Sequence, residues 1–146
     1  TTEGEVLTLP VEKWGIVYRT SIVSRMDYVV LEAVLSLSRG DREEIRARMD
    51  ELKQKRVSKQ PLEFGSAGST FKRPEGYFAG KLIEDAGLRG FRIGDAQVSE
   101  KHCGFVINRG NATAAEVYEL MEEVIRRVEE NSGVKLEPEV RRIGEF

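Results

Sequence analysis

A short loop rich in glycine and other small residues carries the side chains best suited to chemistry in this chain. Its residues are Gly65-Ser66-Ala67-Gly68-Ser69-Thr70-Phe71-Lys72-Arg73-Pro74. Glycine lets the backbone turn sharply and approach a ligand closely. Ser69 can donate a proton, and the positive charge of Lys72 would favour a bound anion or a transient alkoxide beside it. The loop therefore predicts a site where an anionic ligand meets a proton donor.

Ser69 is better suited to proton donation than to nucleophilic attack. No Gly-x-Ser-x-Gly elbow is present, and the only histidine, His102, lies in a differently patterned segment. If Ser69 acts, it is expected to act as a general acid. A serine among small residues is also typical of a simple turn, and that interpretation stays open at this point.

Two further segments carry charges that could act together with this loop. Glu137 and Glu139 lie two residues apart around Pro138, so an extended backbone would place both on one face. One carboxylate could face a cleft, or the pair could belong to a charged edge strand. Arg19, in a polar segment near the start, is either a surface charge or a clamp for a carboxylate or phosphate.

The composition restricts the classes of function. A chain of 146 residues with 40% apolar content can bury one sound core or two small ones. The charges nearly balance at a net charge of -2, which gives no basic footprint for nucleic acid. A single cysteine excludes an internal disulfide and disfavours a zinc site, and with one histidine any metal centre would have to be built from carboxylates; we predict none. No membrane-spanning run or secretory signal is visible, so we expect a cytoplasmic protein.

Hydrophobic patterning predicts an α+β fold. In the first part, alternating residues predict strands at Glu5–Leu9 and Tyr28–Leu37. Asp41 and Glu44 form a capping pair that predicts a helix running to about Val57. A polar, proline-containing link follows, and we place the domain boundary there, with one domain over residues 1–57 and the other over 58–146.

The second part predicts the elements that would position the loop. Thr113 and Glu116 form a capping box at the start of an apolar stripe, which predicts the longest helix, ending near Gly133. The remaining predicted elements are a short helix with Phe78, Leu82 and Ile83, strands at Asp95–Val98 and Gly104–Asn108, and a final strand at Val134–Ile143.

Taken in order, these segments resemble the UDP-N-acetylenolpyruvoylglucosamine reductase family (MurB) of bacterial peptidoglycan synthesis. The resemblance spans nearly the whole chain from Tyr18 onward. Its most specific runs are the serine loop and Leu136-Glu137-Pro138-Glu139-Val140-Arg141. The other matching runs are Tyr18-Arg19-Thr20-Ser21, Lys59-Gln60-Pro61, Gly80–Leu88, Ala96–His102, Gly104–Asn108 and Ala112-Thr113.

The resemblance implies a division of labour between the two predicted domains. Residues 1–57 would be the carboxyl-terminal part of the FAD-binding domain, and residues 58–146 the substrate-binding domain. The stretch that binds most of the flavin in the family has no counterpart in this sequence. We therefore expect the chain alone to be inactive, with the missing amino-terminal half of the enzyme as a partner.

The family reaction implies roles for individual residues. NADPH reduces FAD, and the reduced flavin passes hydride to UDP-N-acetylglucosamine enolpyruvate, which yields UDP-N-acetylmuramate for cell-wall biogenesis, cell shape and division. Arg19 and Glu139 would stabilise the developing enolate, and Ser69 would protonate the adjacent carbon. The resemblance also implies substrate contacts by Lys59, Lys72, Arg73 and His102, and flavin contacts by Arg56 and Arg141.

Two alternatives remain at the level of sequence. The first is a catalytically silent module that binds a nucleotide sugar through the same cations; such a module would not need Ser69 and Glu139. The second is another flavin oxidoreductase of the same wider fold group. It is disfavoured because the serine loop and the Leu136–Arg141 run belong to the substrate side, where wider relatives diverge.

Overall fold

A computed structural model describes residues 1–17 and 20–144 of the chain. These residues form two compact units, the first from Thr1 to Asp41 and the second beginning at Arg42. Helices and one antiparallel sheet make up the second unit, so the predicted α+β class is confirmed.

The first unit has little regular structure. It contains a 3-10 turn at Val11–Lys13 and one short helix, α1, at Ile22–Arg25. The indole N–H of Trp14 donates to the carbonyl of Leu9 at 2.8 Å, and the Trp14 carbonyl accepts from the N–H of Ile22 at 2.8 Å. None of the described residues in this unit is buried.

Both strands predicted in the first unit are wrong. The segments Glu5–Leu9 and Tyr28–Leu37 have irregular backbone conformations. An alternating apolar pattern becomes a strand only when its backbone pairs and one of its faces is covered. Neither condition is met among the described residues, and the side chains of Val34 and Leu37 are more than four-fifths exposed.

The second unit begins with the predicted helix, α2, at Arg42–Lys59. Every residue of α2 is exposed, including the apolar Ile45, Met49 and Leu52. Charged side chains pair along its surface, as Arg48 does with Glu51 at 2.6 Å, and exposed pairs of this kind contribute only tenths of a kcal/mol, ~0.3–0.5. The predicted domain boundary, between residues 57 and 58, falls in the last turn of α2 and stays a prediction.

A four-stranded antiparallel sheet lies at the centre of the second unit, in the order β1-β4-β3-β2. The strands predicted at Asp95–Val98 and Gly104–Asn108 are present as β3 and β4, and two very short strands join them at the edges. The bounds are Gly65–Ser66 for β1, Arg92–Ile93 for β2, Ala96–Val98 for β3 and Val106–Asn108 for β4. The sheet thus connects the serine loop, which begins in β1, to the strand that follows His102.

One helix packs against this sheet, a second packs against that helix, and the side chains between them form the core. The predicted short helix is α3, Ala79–Asp85, and the predicted long helix is α4, Ala114–Ser132. In α4 the Thr113 hydroxyl accepts from the N–H of Glu116 at 3.2 Å, which confirms the capping box. Gly133 ends the helix with φ of 71°, a conformation that favours glycine. The largest fully buried side chains are Pro61, Ile83, Leu88, Val98, Ser99, Leu120, Val124, Val128 and Leu136.

The final strand predicted at Val134–Ile143 is wrong. Only one bridge forms there, between Phe71 and Pro138. The missing N–H of Pro138 costs nothing at this position, since the flanking residues make both hydrogen bonds. The pairing stops on one side because the N–H of Thr70, which would continue the ladder, donates instead to the carbonyl of Gly104 at 2.9 Å.

Candidate functional site

The serine loop is held between two segments of the second unit. At its start, Gly65 and Ser66 pair with Asn108 and Ile107 of β4. At its end, the N–H of Lys72 donates to the carbonyl of Glu137 at 2.8 Å. Long-range hydrogen bonds at both ends therefore fix the backbone that carries Ser69.

Ser69 itself is exposed at the crest of this loop. It follows Gly68, whose φ of 85° is disfavoured for any residue with a side chain and whose missing Cβ would point into open space. The Ser69 hydroxyl makes no hydrogen bond to the residues that the structure describes. It is therefore oriented by its backbone alone and is accessible to a ligand.

Thr70 is the most tightly held residue of the loop, with only 2% of its surface exposed. Its N–H donates to the carbonyl of Gly104, and its hydroxyl accepts from the N–H of Val106 at 2.9 Å. Its carbonyl accepts from the N–H of Glu139 at 2.9 Å. This threonine thus joins the serine loop to two segments that are distant in sequence.

Lys72 and Glu137 form an ion pair beside the loop. The Lys72 Nζ lies 3.0 Å from Oε2 of Glu137, with half of the lysine side chain and nearly three-quarters of the glutamate side chain exposed. An exposed pair of this kind contributes about 0–1 kcal/mol, so an anionic ligand can separate it at little cost. Glu139 is also exposed, and its backbone is fixed through Thr70.

Arg73 is supported by an aromatic ring. Its Nε donates to the carbonyl of Tyr77 at 3.2 Å, and its guanidinium carbon lies 4.0 Å above the ring centroid of Phe78. A cation over a ring face is attracted by the ring quadrupole and keeps its polar edge in solvent. The arrangement leaves Arg73 exposed but oriented, as recognition of an anionic group requires.

His102 lies against a cradle made by two glycines. Its Nδ1 accepts from the N–H of Gly104 at 3.1 Å, and its ring meets that of Phe105 edge-on at 5.0 Å. A Cβ at Gly80 would lie 3.2 Å from the imidazole Cε1, and one at Gly104 would lie 3.0 Å from the same atom. The hydrogen bond to Nδ1 assigns the proton of a neutral ring to Nε2, so that nitrogen can donate to a ligand.

Arg56 and Lys59 lie three residues apart on α2 and therefore share one face of the helix. Both are exposed, and neither makes an ion pair with the described residues. The run that follows Lys59 is anchored by Pro61, which is fully buried. The helix thus brings a predicted cofactor contact next to a predicted substrate contact.

Arg141 is exposed in the irregular segment after Pro138. The next residue, Arg142, is anchored by its guanidinium carbon, 4.3 Å above the ring centroid of Tyr118 in α4. Arg19 lies outside the described residues. On either side of it, Val17 and Thr20 exchange backbone hydrogen bonds of 3.0 and 3.2 Å.

With this geometry in hand, the chain can be compared with known proteins. Residues 60–143, more than half of the sequence, match the family described as UDP-N-acetylenolpyruvoylglucosamine reductase, C-terminal domain. The chain belongs to this reductase family. The resemblance inferred from the sequence is therefore confirmed.

Individual relatives extend the match to nearly the whole chain. The reductase of Lachnoclostridium phytofermentans is 59% identical over 99% of this chain and 47% of its own length. That of Agathobacter rectalis is 58% identical over the full chain and 46% of its own length. The chain thus spans about half the length of the curated relatives that it matches.

A solved structure supports the fold of the reductase family in this chain. The crystal structure of UDP-N-acetylenolpyruvylglucosamine reductase from Thermus caldophilus matches with a TM-score of 0.68 and 38% identity. The match covers 88% of this chain and 46% of the solved chain. In the described part of this chain, no helix is both long and apolar enough to cross a membrane.

The donor set can be tested against the cofactor that a reductase of this family implies. Arg56 and Arg141 are exposed cations without an ion pair among the described residues, and such groups fit the diphosphate of a dinucleotide. The roles predicted for these two arginines, and for Arg19, Ser69, Glu139, Lys59, Lys72, Arg73 and His102, stay predictions.

Sequence reasoning missed what Thr70 does. The residue was recognised as part of the serine loop, but no role followed from its type. Its three hydrogen-bond partners lie on segments far along the chain, so no local spacing signals them. The support of Arg73 by Phe78 was also missed, although their spacing of five residues in a turn-rich segment was available as a signal.

Proposed function

We propose that this chain is the carboxyl-terminal part of a reductase that converts UDP-N-acetylglucosamine enolpyruvate into UDP-N-acetylmuramate, with FAD and NADPH, in the cytoplasm. The observation that carries the proposal is the backbone pairing of Thr70 with Glu139. It supports a site in which the Ser69 hydroxyl and the Glu139 carboxylate belong to adjoining segments. A general acid and an orienting carboxylate are what such a reduction requires beside its electron source.

The cofactors would supply two electrons and one hydrogen to the terminal carbon of the enolpyruvyl group. An enol or enolate then develops at the substrate carboxylate; Arg19 would offset its negative charge, and Glu139 would orient it as a hydrogen-bonding group. Ser69 would give its proton to the adjacent carbon, so two hydrogens are added in total. The serine then regains a proton from solvent, and the ammonium group of Lys72 favours its transient alkoxide electrostatically.

The exposed cations would bind the rest of the substrate. Arg73, Lys72 and Lys59 suit the diphosphate, since each carries an exposed positive charge. His102 would donate from Nε2, the nitrogen left protonated by its bond to Gly104. Diphosphate recognition by exposed cations weakens as salt increases, which gives binding a characteristic salt dependence.

Replacing Ser69 by alanine in a full-length reductase that carries this sequence tests the proposal. Reduction of the flavin by NADPH should keep its rate, because the serine takes no part in it. Reoxidation by the enolpyruvyl substrate should slow by about 10²–10⁴-fold, the usual contribution of a general acid. Stopped-flow absorbance measures the two steps separately, and Ser69→Cys should recover part of the second rate.

The other serine of the loop provides the matched control. Ser66 is also exposed, and its hydroxyl accepts only a long bond of 3.5 Å from the N–H of Gly68. Ser66→Ala should leave both steps close to wild type. An unslowed second step in Ser69→Ala would remove Ser69 from the mechanism and favour the silent nucleotide-sugar-binding module instead.

A further inference from the structure

Thr70 lies directly after the proposed proton donor and is the point where three segments meet. Its N–H and hydroxyl bind the backbone of residues 104 and 106, and its carbonyl binds the backbone of Glu139. All three of its polar groups are therefore used, and the residue is 2% exposed. An exposed turn would need none of these bonds.

The Ser69 side chain has no contact of its own with the described residues that would fix the position of its hydroxyl. Its hydroxyl has no hydrogen-bond partner among residues 1–17 and 20–144, and Gly68 before it has a backbone conformation that other residues rarely adopt. The position of the hydroxyl therefore depends on the residue that follows. Thr70 is that residue, and it is anchored at three points.

We propose that Thr70 is a positioning residue that fixes the distance between the Ser69 hydroxyl and the Glu139 carboxylate. The inference rests on the function proposed above and deepens it. The side-chain bond to the N–H of Val106 sets the threonine against β4, and the carbonyl bond to Glu139 then sets the second segment against the threonine. Thr70 itself touches no reacting atom.

Weakening this anchor should greatly slow the proton transfer but should have little effect on substrate binding. Misplacing a reacting group by about 1 Å can cost on the order of 10²-fold in rate. Two of the cations that would bind the diphosphate are held elsewhere: Arg73 by its contact with the Phe78 ring, and Lys59 by its place on α2. The KM for the substrate should therefore change little while kcat falls.

Thr70→Val in the full-length reductase removes the hydroxyl and keeps the shape of the side chain. Flavin reoxidation by the enolpyruvyl substrate should slow by about 10²-fold, with flavin reduction by NADPH unchanged. Amide hydrogen exchange should rise in the peptide containing Val106, which has lost its acceptor. Thr70→Ser keeps the hydroxyl and should restore both the rate and the protection.

Thr113→Val is the matched control, because it removes another threonine hydroxyl that accepts from a backbone N–H, at 3.2 Å, away from the loop. Thr113→Val should lower the stability of the protein without changing the ratio between the rates of flavin reduction and flavin reoxidation. If Thr70→Val does not fold, Thr70→Ala is used in its place. Alanine also lacks the hydroxyl, and its smaller side chain lets water reach the N–H of Val106.

Three results would overturn the inference: reoxidation at the wild-type rate in Thr70→Val or Thr70→Ala, equal slowing of both half-reactions in these variants, or slowing of reoxidation alone in Thr113→Val. Ser69→Ala, measured in parallel, shows whether the positioning role or the proposed function has failed. If reoxidation is slow in Ser69→Ala but fast in Thr70→Val, only the positioning role of Thr70 is rejected. If reoxidation is fast in both variants, the role of Ser69 as proton donor is rejected as well.

Discussion

The helices α1 and α4 each begin with a capping box, but they differ in how much they bury. The short helix α1 in the first unit has a capping box in which the hydroxyl of Ser24 accepts from the N–H of Ser21 at 3.3 Å. The helix α4 has the same device with Thr113 and Glu116, and it also buries four side chains. Capping specifies where a helix begins, whereas burial decides whether its loss unfolds anything else. The first unit has caps without a core, and the second has both.

The largest expected effect is the loss of a core side chain. Leu120 of α4 is fully buried, so Leu120→Ala should lower the free energy of unfolding by about 2–5 kcal/mol. Leu35→Ala, at a side chain that is 73% exposed in the first unit, is the matched control and should change it by less than about 0.5 kcal/mol. Urea unfolding of the chain, followed by far-UV circular dichroism, measures both. Equal losses would mean that the first unit shares the core.

Removing a capping hydroxyl should also lower the free energy of unfolding more in the second unit than in the first, but by less than the loss of a core side chain. Thr113→Ala should cost about 1 kcal/mol of unfolding free energy, because the N–H of Glu116 loses its acceptor at the start of the helix that closes the core. Ser24→Ala removes the hydroxyl that accepts from the N–H of Ser21 at the start of α1, and it should leave the same unfolding transition in place. Thermal unfolding followed at 222 nm compares the two variants. A larger shift for Ser24→Ala would contradict the contrast between the units.

The smallest effect concerns the acid stability of α4. Hydrogen bonds from Arg126 and Arg127 lower the pKa of the Glu123 carboxyl from 4.5 to about 2. A carboxyl whose pKa is lower in the folded state stabilises the fold above pH 4.5, and this contribution is lost as the pH falls from 4.5 through about 2. Glu123→Gln should therefore unfold with less dependence on pH across that interval. Acid titrations followed by circular dichroism test this. The same dependence of stability on pH in the wild type and in Glu123→Gln would refute it.

The same contrast explains which elements could be predicted from the sequence. The signals for α4 are local: a capping pair at Thr113 and Glu116, an apolar stripe, and Gly133 at the end. The pattern over Tyr28–Leu37 specifies a strand only when a partner pairs with it, and no described segment does so. The stretch after Val134 fails for a different reason, since the N–H of Thr70 is taken by Gly104. The local signals therefore predicted this helix, whereas strands that depend on a distant partner were predicted wrongly at these two segments.

For the candidate site, the sequence indicated which residue types could act but not how they are held. Ser69, Lys72 and the two glutamates were identified by type and spacing. The ion pair between Lys72 and Glu137 joins residues far apart in the sequence, as do the bonds made by Thr70. Long-range contacts of this kind depend on the packing of the whole second unit. No window of neighbouring residues contains them.

The distance along the chain between Thr70 and Glu139 has a consequence for how the protein matures. The core cannot be completed before the last segment is synthesised, because Leu136, which is 1% exposed, belongs to the same hydrophobic cluster as Phe71 and the buried side chains of α4. The same segment supplies the backbone groups of Glu137 and Glu139 that bind the serine loop, and so closes a long loop of the chain. A nascent chain thus acquires its complete core and its site together. Proteolysis just after α4 would remove a core side chain and one of the two walls of the serine loop at once.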